Sequence, residues 1–239
     1  ILVAIPAYNE EDILEKNVLR LYSFLKNNKS INQKKHNWKI VISNNASQDK
    51  TLDIARKLSG KYKEIDFVSQ KSRPKSLSIK NTFLLKKYDD YDIYFYMDAD
   101  LSTDIKHFPQ LIQGIEEGYD ISIGSRIVKS RRFLRSLISD GLKFILKLFF
   151  NSNVKDFQCG FKAINKEIRN KLLSKMKAVN HGFMDTELIL VAKSKGYKIK
   201  EIPVSWKDDR KSKVQFVNDI IDTSKNILRI KKDLLLGRY

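Results

Sequence analysis

Apolar and polar residues alternate in blocks along the first half of the chain, and each block has the spacing of a strand or a helix. Short apolar runs predict buried strands, whereas apolar residues three or four positions apart predict helices with one face on a core. The predicted strands cover residues 1–5, 38–42, 65–68, 92–97 and 119–124. The first predicted helix begins near residue 10, and three further helices are predicted over residues 51–59, 76–88 and 108–117. Strands that alternate with helices predict an α/β fold with a largely parallel sheet.

The second half of the chain has a less regular pattern. A stretch over residues 132–150 begins with basic residues and continues with leucine and phenylalanine at helical spacing. Beyond it we predict a short strand ending at Ile164, helices over 165–176 and 186–195, a strand over 199–206 and a final amphipathic helix over 215–236. Pro203 predicts an edge position for the last strand, because proline cannot donate to a neighbouring strand. No change of composition marks a boundary, so we predict a single domain over residues 1–239.

The net charge of +18, from 46 basic and 28 acidic residues, predicts an anionic partner. Nucleic acid, an acidic membrane surface and phosphorylated substrates all fit that charge. The basic residues are spread along the chain without a recognition motif, which argues against nucleic acid. The apolar runs are too short to cross a bilayer, and the single cysteine, Cys159, excludes a disulfide within the chain.

The predicted strand over residues 92–97 ends at two acidic residues, Asp98 and Asp100, with Ala99 between them. Ligands of open α/β sheets bind at the carboxyl ends of the strands. Two carboxylates so close together need a cation, and oxygen ligands suit Mg²⁺ or Mn²⁺ completed by water and phosphate oxygens. The pair therefore predicts a metal bridge to a diphosphate, unless it only ends the strand and caps the next segment.

The loops at the ends of four predicted strands, at residues 6–10, 44–51, 73–75 and 98–100, resemble those of inverting family 2 glycosyltransferases with the GT-A fold. Further matches continue at residues 124–126, 135–141, 156–162, 183–188, 201–206 and 212–214. They are similar to the dolichyl-phosphate glucosyltransferase and mannosyltransferase branch. The glucosyl type is favoured by the run Gln158-Cys159-Gly160-Phe161-Lys162. Each motif is loose, but their shared order is specific, and the resemblance covers nearly the whole chain.

The resemblance implies the transfer of a hexose, glucose rather than mannose, from a nucleotide sugar to a dolichyl or other polyprenyl phosphate with inversion. The donor would be UDP-glucose or GDP-mannose, the cofactor Mg²⁺ or Mn²⁺, and the further partner a membrane surface rather than nucleic acid. The resemblance places the protein peripherally at the cytoplasmic face of a membrane. Residues 1–125 would bind the nucleotide sugar and residues 126–239 the acceptor.

The resemblance also assigns residues to the nucleotide-sugar site. They are Pro6, Tyr8, Glu10, Asn44, Asn45, Arg73, Lys75, Asp98 and Ala99, with Asp98 and Asp100 as the metal ligands. Asn44 and Asn45 stand where the family often has two aspartates that bind the base, so these amides leave the choice of base open. Pro74 and Ser76 replace glycines of the family's basic loop, which predicts a stiffer loop. These departures also keep open a relative that binds nucleotide without catalysis.

The acceptor decides which residues act in catalysis. A lipid phosphate is already largely ionised at neutral pH and needs only cations to place it. Those cations would be Arg126, Arg131, Arg132, Arg135 and Lys213. The predicted catalytic residues are Asp100, Arg126, Arg135 and Asp185. A saccharide hydroxyl would need a base, and Asp185 is the candidate unless it only caps a helix. For a phosphate acceptor we expect Arg135→Ala to reduce transfer more than Asp185→Ala.

Residues 137–150 carry the candidate membrane contact. Apolar residues at helical spacing stand there beside Lys143 and Lys147, as in a basic amphipathic helix at a lipid interface. A helix that packs on the protein core has the same pattern, so both interpretations remain open from the sequence.

Overall fold

The computed structural model of the protein describes residues 1–33, 36–71, 73–127, 153–177, 183–207 and 216–239. In these residues, seven strands form one sheet in the order β3-β2-β1-β4-β6-β5-β7. The strands are β1 (Leu2–Ala7), β2 (Lys39–Asn45), β3 (Ile65–Gln70), β4 (Ile93–Met97), β5 (Ile121–Arg126), β6 (Phe161–Asn165) and β7 (Ile199–Val204). Each strand predicted from the sequence is present, with bounds that differ by a few residues.

Helices cover both faces of the sheet. They are α1 (Leu14–Asn27), α2 (Lys29–Gln33), α3 (Thr51–Lys61), α4 (Lys75–Phe83), α5 (Phe108–Glu116), α6 (Lys166–Lys171), α7 (Phe183–Ser194) and α8 (Phe216–Leu235). Short 3-10 helices lie at Lys86–Tyr88, Ile105–His107 and Leu173–Lys175. The predicted helices over 76–88 and 165–176 are therefore each an α-helix followed by a 3-10 helix. The short helix α2 has no counterpart in the sequence prediction.

The direction of the strands changes across the sheet. Four of the six described strand pairs are parallel, so the prediction of a largely parallel sheet is confirmed. β6 lies between β4 and β5 and runs antiparallel to both, which the sequence did not predict. β7 occupies one edge of the sheet, as Pro203 predicts.

Two apolar layers enclose the sheet. Leu14 of α1, Leu58 of α3 and Phe108 of α5 pack on one face, and helices α4, α6 and α7 pack on the other. Successive residues of a strand point to opposite faces. In β4, Phe95 therefore belongs to the first layer, whereas Tyr94 and Tyr96 belong to the second. The acidic loop therefore follows a buried central strand, β4, and lies at the carboxyl end of that strand.

Candidate active site

The loops that follow β1, β2 and β4 meet at the carboxyl ends of these strands, because the strands are parallel neighbours. Together with the loop before α4, they enclose a cleft of approximately 290 Å³. The cleft is lined by Pro6, Tyr8, Glu10, Asn45, Arg73, Lys75, Asp98, Ala99 and Asp100. All of these residues were assigned from the sequence to the nucleotide-sugar and metal sites. Asn44, the remaining member of that set, precedes Asn45 at the end of β2.

Each of these three loops contains a non-glycine residue with a left-handed backbone. Asn9 follows β1 with a φ of 52°, Ala46 follows β2 with a φ of 56°, and Leu101 follows β4 with a φ of 51°. This conformation costs an alanine or leucine about 1–2 kcal/mol and persists only where the surrounding contacts hold it. Its recurrence at three adjacent strand ends is typical of loops shaped around a ligand.

Hydrogen bonds join the loop after β1 to the start of α3. The backbone N–H of Glu10 donates to Thr51 Oγ1 at 2.8 Å. The backbone N–H of Gln48 donates to Asn9 Oδ1 at 2.9 Å. These bonds hold the loops after β1 and β2 against each other, and together they form one wall of the cleft.

The acidic loop after β4 is held by side chains from two distant helices. Lys75, the first residue of α4, forms an ion pair with Asp98. Asn17 of α1 donates through Nδ2 to the carbonyl oxygen of Ala99 at 2.9 Å. The acidic loop is therefore held from both faces of the sheet, at the side chain of Asp98 and at the backbone of Ala99.

The charges in the cleft suit a metal ion and a diphosphate. Burial alone would lower the pKa of Lys75, but the nearby carboxylates, Asp98 first, outweigh it and raise this pKa. In the described parts of the chain, no three His, Cys, Asp or Glu side chains form a group that could hold a metal. Among the described residues, Asp98 and Asp100 are the candidate ligands, and such a pair fits Mg²⁺ or Mn²⁺ because these ions keep waters and bind substrate phosphates. The side chain of Asp98 is 39% exposed, so it can reach such an ion.

The end of β2 provides a polar contact at the other side of the cleft. Asn45 is buried, and its Oδ1 has no hydrogen-bond partner among the described residues. A buried amide oxygen without a partner is costly, which indicates that a ligand donates to it. The neighbouring Asn44 is occupied, since its Nδ2 donates to Ser69 Oγ at 3.2 Å. The Arg73 guanidinium carbon lies 5.5 Å from the ring centre of Tyr8, and both side chains line the cleft.

Comparison with known proteins identifies the family. Residues 2–173 match the model described as glycosyl transferase family 2. The chain belongs to glycosyl transferase family 2. The predicted resemblance is therefore confirmed.

Several proteins are similar to this family 2 chain over most of its length. Glycosyltransferase AglD of Haloferax volcanii is 30% identical over 237 residues, which are 95% of the chain and 36% of AglD. Dolichyl-phosphate beta-glucosyltransferase ALG5A of Trichomonas vaginalis is 29% identical over 95% of the chain and 72% of its own length. The dolichyl-phosphate beta-glucosyltransferase of Dictyostelium discoideum is 28% identical over 98% of the chain and 75% of its own length. The chain thus spans about a third of AglD and about three quarters of the other two.

Solved structures share the fold of the family 2 chain. Glucosyl-3-phosphoglycerate synthase from Mycobacterium tuberculosis in complex with Mn²⁺, uridine diphosphate and phosphoglyceric acid has a TM-score of 0.68 at 15% identity. That match covers 99% of this chain and 77% of the synthase. The same synthase in complex with Mg²⁺ and uridine diphosphate has a TM-score of 0.66 at 16% identity, over 99% and 78% of the two chains. At such identities the likeness concerns the fold alone, and it confirms the predicted GT-A fold.

Arg126 lies at the end of β5, where it is held by an aspartate. Its Nε donates to Asp156 Oδ2 at 2.6 Å and its Nη2 donates to Asp156 Oδ1 at 2.8 Å. Its guanidinium carbon lies 5.2 Å from the ring centre of Trp206. Burial would raise the pKa of Asp156, but the hydrogen bonds from Arg126 lower it below its usual value. The acceptor role of Arg126 stays a prediction, and the bidentate pair leaves only part of the guanidinium for a phosphate.

The other residues predicted to bind an acceptor lie outside the described part of the chain. They are Arg131, Arg132, Arg135 and Lys213. The basic amphipathic stretch over residues 137–150 also lies outside it. Among the described helices, none combines the length and the apolar content that crossing a bilayer requires.

Asp185 has a different environment from the one predicted. It lies inside α7, so the alternative in which it only caps a helix does not hold. Its Oδ1 accepts hydrogen bonds from Lys162 Nζ at 2.7 Å and from the hydroxyl of Tyr96. Only 8% of its side chain is exposed. A carboxylate that is sealed off and engaged by two donors is poorly placed to take a proton from an acceptor hydroxyl.

The sequence interpretation missed the residues that support the site from behind. Lys162 and Tyr96 bury polar groups next to the cleft, and Asn17 reaches it from α1. One signal was present in the sequence: Lys162 stands between the apolar residues Phe161 and Ala163 on a predicted strand. A lysine at such a position needs an anionic partner. Nothing in the local sequence identifies that partner as Asp185.

Proposed function

We propose that this family 2 chain transfers glucose from UDP-glucose to dolichyl phosphate or another polyprenyl phosphate, with inversion at the anomeric carbon. One observation carries the proposal: a single cleft combines the two aspartates of the acidic loop, two cations and a buried amide oxygen that has no partner among the described residues. A nucleoside diphosphate needs these groups, for its metal, its phosphates and its base. The names of the Trichomonas and Dictyostelium relatives support glucose as the sugar and a dolichyl phosphate as the acceptor.

The amide of Asn45 favours uracil over guanine. Uracil presents one N–H between two carbonyl oxygens, and an amide can accept from that N–H and donate to a carbonyl. Guanine presents two adjacent N–H donors at its pairing edge, which a carboxylate accepts better than an amide. Because Asn45 stands where the family often has an aspartate, UDP-glucose is the better donor candidate than GDP-mannose.

In this proposal the residues of the cleft hold the leaving diphosphate. Arg73 and Lys75 contribute positive charge beside it, and the raised pKa of Lys75 keeps that charge at neutral pH. Asp98 and Asp100 would hold Mg²⁺ or Mn²⁺, which supplies further charge neutralisation to the leaving group. The loops after β1 and β2, which are hydrogen-bonded to each other, would orient the nucleotide.

The acceptor in this proposal needs no general base. A lipid monophosphate has a second pKa of about 6 and is largely a dianion at neutral pH. The burial of Asp185 agrees with such an acceptor and disfavours a saccharide hydroxyl, for which Asp185 was the candidate base. The acceptor phosphate would be bound by Arg126 together with Arg131, Arg132, Arg135 and Lys213. The lipid acceptor also implies a peripheral position at a membrane surface, for which we propose the cytoplasmic face.

The test is the turnover of radiolabelled UDP-glucose with dolichyl phosphate and Mn²⁺. We expect a glucosyl lipid, and we expect Asp98→Asn or Asp100→Asn to reduce its formation on the order of a hundredfold while the fold is kept. The matched control is Asp53→Asn, which removes an exposed carboxylate on α3 and should leave turnover unchanged.

Three outcomes would contradict the proposal. Full turnover in the presence of a chelator would exclude the metal role of the two aspartates. Glucose transfer to a saccharide but not to the lipid would replace the acceptor. Binding of UDP-glucose without any transfer would identify a nucleotide-binding relative that lacks catalysis.

A further inference from the structure

A fully buried lysine lies behind the cleft. Lys162 of β6 is in register with Tyr96 of β4, and none of its side chain is exposed. Its Nζ donates to Asp185 Oδ1 at 2.7 Å and to the carbonyl oxygen of Cys159. The hydroxyl of Tyr96 donates to the same carboxylate oxygen as the lysine.

Stability alone does not account for this buried ion pair. Each ion loses hydration worth several kcal/mol when it leaves water, and an apolar pair of similar volume is often at least as stable. The charged pair is costly to assemble in the core of a sheet. The role of Lys162 is therefore to be sought in the groups that it holds in place rather than in a net gain of folding free energy.

The second hydrogen bond of Lys162 leads to the cleft. It fixes the carbonyl oxygen of Cys159, and the next residue, Gly160, packs against the ion pair of Asp98 and Lys75. A Cβ atom on Gly160 would clash with Asp98 Oδ2 and would lie 3.0 Å from Lys75 Nζ. The backbone of Gly160 thus touches two side chains of the cleft, one residue beyond the atom that Lys162 holds.

We propose that Lys162 is a positioning residue of the nucleotide-sugar site. Held by Asp185, it fixes the carbonyl of Cys159, so that the backbone of Gly160 sets the position of Asp98 and its lysine partner. Lys162 itself touches no substrate. The inference rests on the proposed function only in that the cleft binds a nucleoside diphosphate, and it does not depend on the acceptor.

The test measures the binding of UDP in the presence of Mn²⁺ by calorimetry, without an acceptor. Lys162→Met alone leaves Asp185 buried without its cation and is expected to destabilise the fold. The decisive variant combines Lys162→Met with Asp185→Asn, which removes both charges and keeps an acceptor for the hydroxyl of Tyr96. We expect this variant to unfold close to the wild-type midpoint temperature. We expect it to bind UDP about tenfold more weakly, because the carbonyl of Cys159 has lost its donor.

The ion pair of a second buried cation, whose aspartate is half exposed, provides the control. Arg169 of α6 donates to the carbonyl oxygen of Phe83 and to Asp89, at the opposite end of β4 from the cleft. The combination of Arg169→Met with Asp89→Asn should leave the affinity for UDP unchanged. Wild-type affinity in the Lys162 combination would overturn the proposal. An equal loss of affinity in the control would also overturn it, because the effect would then be general.

Transfer assays separate this inference from the proposed function. With UDP-glucose and dolichyl phosphate, the Lys162 combination should raise the KM for the nucleotide sugar by the factor seen in the affinity for UDP. The KM for the lipid should stay unchanged, and a rise in that constant instead would contradict a role at the nucleotide site. If the wild-type protein transfers nothing to the lipid while the variant still loses affinity for UDP, the proposed function fails and the positioning role stands.

Discussion

Two buried cations lie against two tyrosines of the same strand, one at each end of the sheet. Lys162 Nζ lies 5.7 Å from the ring centre of Tyr96, near the cleft. The Arg169 guanidinium carbon lies 5.3 Å from the ring centre of Tyr94, at the other end of β4. Each cation donates to one backbone carbonyl oxygen and to one aspartate. The two clusters thus share these contacts, although Arg169 also donates to Asn170 Oδ1 at 2.7 Å and the hydroxyl of Tyr94 donates to the carbonyl oxygen of Tyr88.

The clusters differ in how far water reaches the aspartate. The side chain of Asp89, which pairs with Arg169, is 46% exposed, whereas that of Asp185 is 8% exposed. Water can hydrate Asp89 with or without its partner, but Asp185 depends on Lys162 and Tyr96. Arg169 joins α6 to Phe83 at the end of α4 and to Asp89, whereas the pair of Lys162 and Asp185 lies behind the wall of the cleft. The two ion pairs have similar chemistry, so their positions along β4 decide their roles. The pair of Arg169 stabilises a local contact between helices, whereas the pair of Lys162 holds residues of the binding site in place.

The largest expected effect is on stability. Lys162→Met should lower the free energy of unfolding by about 3–5 kcal/mol, because a sealed carboxylate loses its cation. Arg169→Met should cost about 1–2 kcal/mol, since Asp89 can be hydrated and mainly a carbonyl hydrogen bond is lost. Urea denaturation followed by circular dichroism measures both. Equal losses would mean that exposure of the aspartate does not distinguish the two clusters.

The next effect concerns the glycine between the buried lysine and the cleft. Gly160→Ala should reduce the Mn²⁺-dependent affinity for UDP at least tenfold, because its Cβ would displace Asp98. Gly60→Ala is the control, because nothing lies within 4 Å of an added Cβ in α3. That change should leave the affinity unaltered and stabilise the fold by up to about 1 kcal/mol. An unaltered affinity in Gly160→Ala would show that the contact does not position Asp98.

The smallest expected effects come from replacing two asparagines, Asn17 near the cleft and Asn165 at the opposite end of the sheet. Asn17→Ala removes the hydrogen bond to the carbonyl oxygen of Ala99 and should weaken UDP binding roughly fivefold. Asn165→Ala removes the cap of α6, whose Oδ1 accepts from the backbone N–H of Ile168 at 2.8 Å. It should lower stability by about 1 kcal/mol and leave binding unchanged. Calorimetry and denaturation on both variants make the comparison, and a reversed pattern would contradict the separation of the two ends.

The cleft could be predicted from the sequence because each of its walls is encoded locally. Tyr8, Asn45 and Asp98 each follow a strand that its own apolar run predicts. Parallel strands place their carboxyl ends on one edge, so predicting the strands already brings these residues together. The pattern alone identified Asp98 and Asp100 as site residues, whereas the resemblance to family 2 assigned the other residues of the cleft and the expected ligand.

The support behind the cleft was decided by the tertiary structure. The apolar alternation of β6 fits either strand direction, and only packing inserts it antiparallel between β4 and β5. That insertion brings Lys162 to Tyr96 and Asp185, which lie far from it in the sequence. The sequence determined which residues stand at the strand ends, because a strand is specified by its own residues. Only the folded chain decided which charges are buried together, because the partner of a buried charge depends on which distant strand and helix pack beside it.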